Sequence, residues 1–160
     1  MISDSLDTSY QELKDAIPQQ EQLGSDETSF KNNGKKHWIW CIASALFTVF
    51  HIAPTRSRKV LEELVGEEFT GYLNFDYFSA NCSFAWNFWI NNHNEQQIRQ
   101  CVIDRMITQG TRSEAGQRYH ERMWTALATC RKQQRNFFDF LKSSIEAKLN
   151  KQPTPSLLNA

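Results

Sequence analysis

Apolar positions along the chain change spacing several times, and the changes predict a mixed α/β order of elements. Tyr10, Leu13 and Ile17 recur at helical spacing ahead of Pro18, which predicts a short amphipathic helix leading into a Gln-rich linker. Asn33-Gly34 is a pair that accepts positive φ angles, so it predicts a two-residue hairpin turn with a β-prone run on its far side. Residues 37–44 (HWIWCIAS) and 46–52 (LFTVFHI) are β-branched, aromatic and apolar on both faces. That is the pattern of strands covered on both sides, and it makes Trp38, Trp40, Phe47 and Phe50 core residues rather than base-stacking platforms.

Beyond Pro54 the period returns to helical. Residues 56–65 place Val60, Leu61, Leu64 and Val65 on one face before a C-capping Gly66. Residues 71–75 (GYLNF) predict a further strand with Asp76 at its C-terminal end, whereas the aromatic stretch 79–90 fits neither period. Residues 91–106 predict a helix with Ile98, Val102 and Ile103 inward and Glu95 in its first turns. Thr111-Arg-Ser-Glu114 has the form of a capping box before a helix with Tyr119, Met123, Leu127 and Cys130 inward, and Asn136 opens a last helix running to Leu149. Pro153 and Pro155 close the order. The expected layout is an N-terminal helix and linker (1–24), an α/β core (25–110), a helical pair (111–150) and a tail (151–160).

Length and content fit one globular domain: 160 residues, 40% hydrophobic. The longest apolar stretch, from Trp38 to Phe50, is broken by Ser44 and Thr48 and is too short to span a bilayer. The start Met1-Ile2-Ser3-Asp4 lacks the basic and apolar blocks of a leader, so a cytoplasmic protein is expected. Cys41, Cys82, Cys101 and Cys130 are single, as are the four histidines, which predicts reduced thiols and no structural zinc. His37 and His51 read as satisfied polar residues of the sheet and His120 as a helix-surface residue.

Charge adds a distinction that hydropathy does not show. Residues 1–98 hold 7 Lys+Arg against 13 Asp+Glu, and residues 99–160 hold 11 against 5, so balances of −6 and +6 lie behind a net charge of zero. Such a split suits carboxylates gathered in one place and a polyanion met in another. Asp26, Asp76 and Glu95 stand near predicted element ends. Carboxylates from separate elements can hold two Mg²⁺ ions about 3.5–4 Å apart for phosphodiester chemistry. The same three residues equally fit a turn cap, a solvated strand end and a complement to a helix N-terminus. Arg99, Arg105, Arg112, Arg118 and Arg122 could neutralise phosphates, or form a solvated face in which Arg118 and Arg122 pair with Glu114 and Glu121.

Longer motifs carry a resemblance. Ser25-Asp26-Glu27-Thr28, Gly34-Lys35-Lys36-His37-Trp38-Ile39-Trp40 and Lys59-Val60-Leu61-Glu62-Glu63-Leu64-Val65-Gly66 resemble the catalytic core of transposases of the insertion-sequence-sixty-six family. Asn74-Phe75-Asp76-Tyr77-Phe78 resembles its second-Asp motif. Asn91-Asn92 with Glu95, then Thr108-Gln109-Gly110-Thr111-Arg112-Ser113-Glu114 and Pro155-Ser156-Leu157-Leu158, resemble its C-terminal block. The resemblance implies a ribonuclease H-like fold and DDE chemistry, with Asp26, Asp76 and Glu95 as catalytic and metal-binding residues and Mg²⁺ as cofactor, Mn²⁺ substituting. It also implies transposon-end DNA as partner, a nucleoid location, and assembly with itself or an intact transposase.

Two departures shape the expectation. The family's N-terminal DNA-binding region with its zinc motif has no counterpart in the sequence, and Asp76 and Glu95 stand only 19 residues apart where the family has a long helical section. The sequence therefore reads as a truncated, catalytically impaired transposase, the alternative being a non-catalytic DNA-binding or oligomerising remnant.

Overall fold

Asn33 (φ 50°) and Gly34 (φ 73°) reverse the chain between β1 (Gln22–Asn32) and β2 (Lys35–Ala43), as the Asn-Gly pair predicts. The computed structural model describes residues 2–75 and 93–158, with the side chains of 75, 93–97 and 100 outside that description. Ahead of β1 come α1 (Ile2–Ser5), α2 (Asp7–Ala16) and a 3₁₀ turn (Ile17–Gln19). After β2 come β3 (Thr48–Ala53), α3 (Arg58–Val65), β4 (Tyr72–Phe75), α4 (His93–Thr108), α5 (Glu114–Lys132) and α6 (Phe137–Leu149). The aromatic stretch 79–90 lies outside the described residues.

The sheet order is β3-β2-β1-β4. β1 and β3 run antiparallel to β2, while β4 runs parallel to β1. This is the order of hairpin, strand, helix and strand that the sequence predicts. β2 is apolar from Trp38 to Ala43 because both of its faces are covered there. Trp40 and Ile42 enter a cluster with Leu13, Ile17, Leu23, Leu61 and Leu73, whereas Ile39 and Cys41 join Phe30, Phe50, Ile98, Cys101 and Trp124 on the other face. Trp40, Phe47 and Phe50 are buried core, as expected. Cys41, Cys101 and Cys130 are buried free thiols; Cys82 lies outside the described residues.

Three local expectations are corrected. The Gln-rich linker is only two residues long, because β1 begins at Gln22 to pair with Tyr72, and the preceding helix carries fully buried Leu6, Leu13 and Ile17 beside it. Ser113 caps α5 through a bond from Gly116 N–H (3.1 Å), while Thr111 bridges to Asn32 of β1. The predicted tail is docked: Leu157 is buried, Gln133 Nε2 donates to its carbonyl (2.6 Å), and Ser156 bonds Glu12 (2.7 Å).

α5 departs furthest from its predicted face. Tyr119 is exposed, and the inward residues include Glu121, Arg122, Thr125 and Thr129. The cause is the surface beneath it. β3 is an edge strand, and its outward N–H groups at Ile52, Phe50 and Thr48 are accepted by Glu121 (2.6 Å), Thr125 (2.9 Å) and Thr129 (3.2 Å). Gln117, one turn earlier, donates to Ile52 O (2.9 Å). Four helical residues rise about 6 Å and two strand residues about 6.6 Å, so the two rows stay in step. Polar groups are inward here because an uncovered strand edge would otherwise bury unpaired donors.

Candidate active site and nucleic-acid face

β4 pairs with β1 from Gln22↔Tyr72 to Ser25↔Phe75. Asp26 is the next residue of β1, one position beyond the last described pair with β4. It is half-buried, and Glu27 N–H donates to Oδ1 at 2.7 Å, which fixes the orientation of the carboxylate. Across the strand pair lies Cys41, whose thiol pKa is pushed up by burial and further by the negative charge of Asp26. The position differs from the expected element end. Asp26 is inside an 11-residue strand, because β2 stays in register with β1 all the way from Asn32 back to Gly24.

The neighbouring acid has another use. Strand alternation sends Glu27 to the opposite face, where its side chain is 6% exposed and paired with Arg56 (Nε to Oε1, 2.6 Å); Arg56 in turn stacks 5.0 Å from the Trp38 ring. Glu27 is thus held in the packing between β1 and the loop before α3. Asp76 follows Phe75 directly in sequence and lies outside the described residues. Glu95 is the third residue of α4, with its side chain outside the description. α4 itself packs on β1, burying Ile98 and Cys101 on the face that carries Asp26, Thr28 and Phe30.

A hard divalent cation prefers carboxylate oxygen, and Asp26, a half-buried carboxylate on β1, fits that preference. Among the described residues no three His, Cys, Asp or Glu side chains gather at one point. The other two expected ligands are those beyond the side-chain description.

The five predicted arginines separate. Arg99 and Arg112 are exposed. Arg118 is half-exposed, 3.7 Å from Glu114. Arg105 lies along the edge of β1, where Nη1 donates to Thr28 Oγ1 (2.9 Å), Ser29 Oγ (3.0 Å) and the Ser29 carbonyl. Arg122 points inward, paired with Asp4 (3.3 Å) and Asp7 (2.5 Å) and bonded to Ser3 O (3.2 Å). Glu121, the partner expected for it, instead takes the β3 N–H and stands 3.2 Å from His51 Nδ1. The sequence reading omitted Lys31 and Lys36, which line a cleft with Arg105; two lysines flanking the Asn-Gly turn were the available signal.

A family model described as the transposase IS66 family matches residues 1–85, more than half of the 160. The chain belongs to the IS66 transposase family. The matched span carries Asp26 and Asp76, and Glu95 and the five arginines lie beyond it. Among curated proteins, none matches this IS66-family chain. Among solved structures it is similar to a Mos1 transposase catalytic domain determined with raltegravir and Mn (6% identity, covering 91% of this chain and 92% of that one, TM-score 0.47). It is also similar to the catalytic domain of the Mos1 mariner transposase (7% identity, 91% of each chain, TM-score 0.47). No helix among the described residues of this IS66-family chain is long and apolar enough to cross a membrane.

Proposed function

We propose that this chain is the metal-dependent core of a DDE-type DNA transposase, impaired in catalysis, with Asp26, Asp76 and Glu95 as its acidic residues. One relationship carries the reading. The described parallel pairing of β4 with β1 runs to Ser25↔Phe75, and Asp26 and Asp76 are the next residues of the sequence after that pair. Parallel strands lie about 4.8 Å apart, so pairing carried one step further would set the two carboxylates side by side. Bound Mg²⁺ or Mn²⁺ would supply Lewis-acid stabilisation of charge at the phosphodiester. The chain's own part is to hold a carboxylate on a rigid strand, with Glu27 N–H orienting that of Asp26, while Glu95 is the third residue of α4, the helix that packs on β1.

Impairment follows from length. Residues 76–92 supply only 17 positions between β4 and α4. A ribonuclease H-like core ordinarily places a helix and a strand there, and elements of about 11 and 5 residues with their connections need more. The ligands of this reading are transposon-end DNA and a second transposase chain, which places the protein with the nucleoid.

Thermal unfolding with and without Mn²⁺ tests the site, because a ligand that binds only the native state raises the midpoint by mass action. The expected result is a Mn²⁺-dependent rise in the parent that is lost in Asp26→Asn and in Asp76→Asn. A midpoint indifferent to Mn²⁺ overturns the metal site and leaves a DNA-binding remnant. Robust Mn²⁺-dependent cleavage and joining of the element's ends overturns the impairment.

A further inference from the structure

Among the described residues no strand pairs with the outer edge of β1 between Ser25↔Phe75 and the bridge Asn32↔Thr111, and Arg105 and Thr111 bond to that edge at Ser29 and Lys31. Along the far part of that edge runs a cleft of about 660 Å³, bounded by Ser29, Lys31, Gly34 and Lys36 on one wall and Arg105 and Gln109 on the other. We infer that this cleft binds the phosphodiester backbone of duplex DNA, at a point distinct from Asp26. The inference rests on the DNA-acting reading and deepens it by naming a second contact.

Charge is the first argument. Three cationic side chains line the cleft, and none of its lining residues is acidic. Arg105 is bonded to three neutral oxygens of Thr28 and Ser29, which fix its orientation without cancelling its charge. Lys36 Nζ lies 4.8 Å from the Trp38 ring centroid, again a neutral partner, and Lys31 is exposed. Ser29 and Gln109 add short polar side chains beside these cations. Cations flanked by neutral donors suit phosphate oxygens, which accept several hydrogen bonds at once.

Preorganisation is the second. The walls are tied together by backbone bonds, Thr111 N–H to Lys31 O (2.9 Å) and Asn33 N–H to Thr111 O (2.8 Å), and by Thr111 Oγ1 to Asn32 Oδ1 (3.0 Å). Gly110, at φ 100°, lets the loop approach so closely that a Cβ there would lie 2.1 Å from Lys31 O. A site whose walls are already fixed loses little entropy on binding.

Position is the third. Lys31 is five residues beyond Asp26 on the same strand, about 16 Å away at the usual strand rise. That is about half the length of one duplex turn, short enough for one DNA molecule to meet both places.

The test measures duplex DNA affinity by fluorescence anisotropy across a salt series, for the parent, for Lys31→Gln/Lys36→Gln and for a control, Lys59→Gln/Lys142→Gln, which removes equal charge from exposed positions on α3 and α6. Each lost phosphate contact lowers the slope of log K against log salt by about 0.9. The cleft variant is expected to be shallower by about 1.8 and the control unchanged, with all three melting alike. If the parent binds and both variants weaken equally, the cleft is overturned while the DNA reading stands. If the parent shows no binding at low salt, both fall.

Discussion

The Thr125 hydroxyl accepts the N–H of Phe50 at 2.9 Å, across 75 positions of sequence, in the middle of the row that closes the outer edge of β3. Tyr10 reaches the same residue, its hydroxyl donating to Phe50 O at 3.0 Å. Thr125→Val keeps the volume and removes the acceptor, leaving a buried donor unpaired, and is expected to cost about 1–3 kcal/mol. Thr125→Ser keeps the acceptor and is expected to cost less. Urea unfolding of the two variants beside the parent measures the difference, and equal losses would show that packing of the side chain, not its oxygen, matters.

Gly110→Ala is expected to be disproportionately harmful for so small a change. Its φ of 100° disfavours a side chain, and the added Cβ would meet Lys31 O. A loss of about 1–3 kcal/mol is expected from the strained backbone alone. Hydrogen exchange should locate the damage, with faster exchange at the Asn33 and Thr111 amides and little change in β3.

Arg122 and the cleft lysines are both cationic, and they should respond oppositely. Arg122→Gln removes ion pairs to Asp4 and Asp7, whose side chains are 56% and 60% exposed, so solvent screening limits the expected loss to on the order of 1–2 kcal/mol. Its salt slope for duplex binding should equal that of the parent. A shallower slope in this variant would place Arg122 on DNA.

Acid should destabilise the domain through His120. Burial lowers its pKa below the usual 6.5, with Asp104 acting in the opposite direction, and the ring stacks 4.6 Å from Trp124. The unfolded chain takes up that proton first, so the contribution of the neutral ring is complete above 6.5 and is lost as pH falls from there through the lower folded value. Urea midpoints between pH 7.5 and 5 should fall less steeply in His120→Phe than in the parent, and identical profiles would discard the assignment.

What the sequence made legible was local or strongly periodic. Asn33-Gly34 located the hairpin, the two-faced apolar run located β2, and Asn136 is the cap of α6, accepting from the Phe138 and Asp139 N–H groups. α5 was legible as a helix and misread as to its face, since an apolar stripe marks a core-facing helix and this one faces an open strand edge through Glu121, Thr125 and Thr129. The docking of Leu157 was hidden for a related reason. A single leucine after two prolines has no period, and its backbone is held by Glu12 of α2 and by Gln133 just past the end of α5. At the candidate site Asp26 was found by motif, while Lys31 and Lys36 gained meaning only when α4 brought Arg105 beside them.

The N-terminal helix also sets the order in which the chain can fold. Ser9 bonds Pro155, Glu12 meets Ser156, and Asp4 and Asp7 hold Arg122, so its contacts span more than a hundred positions. Closing such long loops is slow, whereas the β1–β2 hairpin joins near neighbours. The helices α1 and α2 are therefore among the last elements to be fixed, and until then their apolar face is a surface that chaperones can hold.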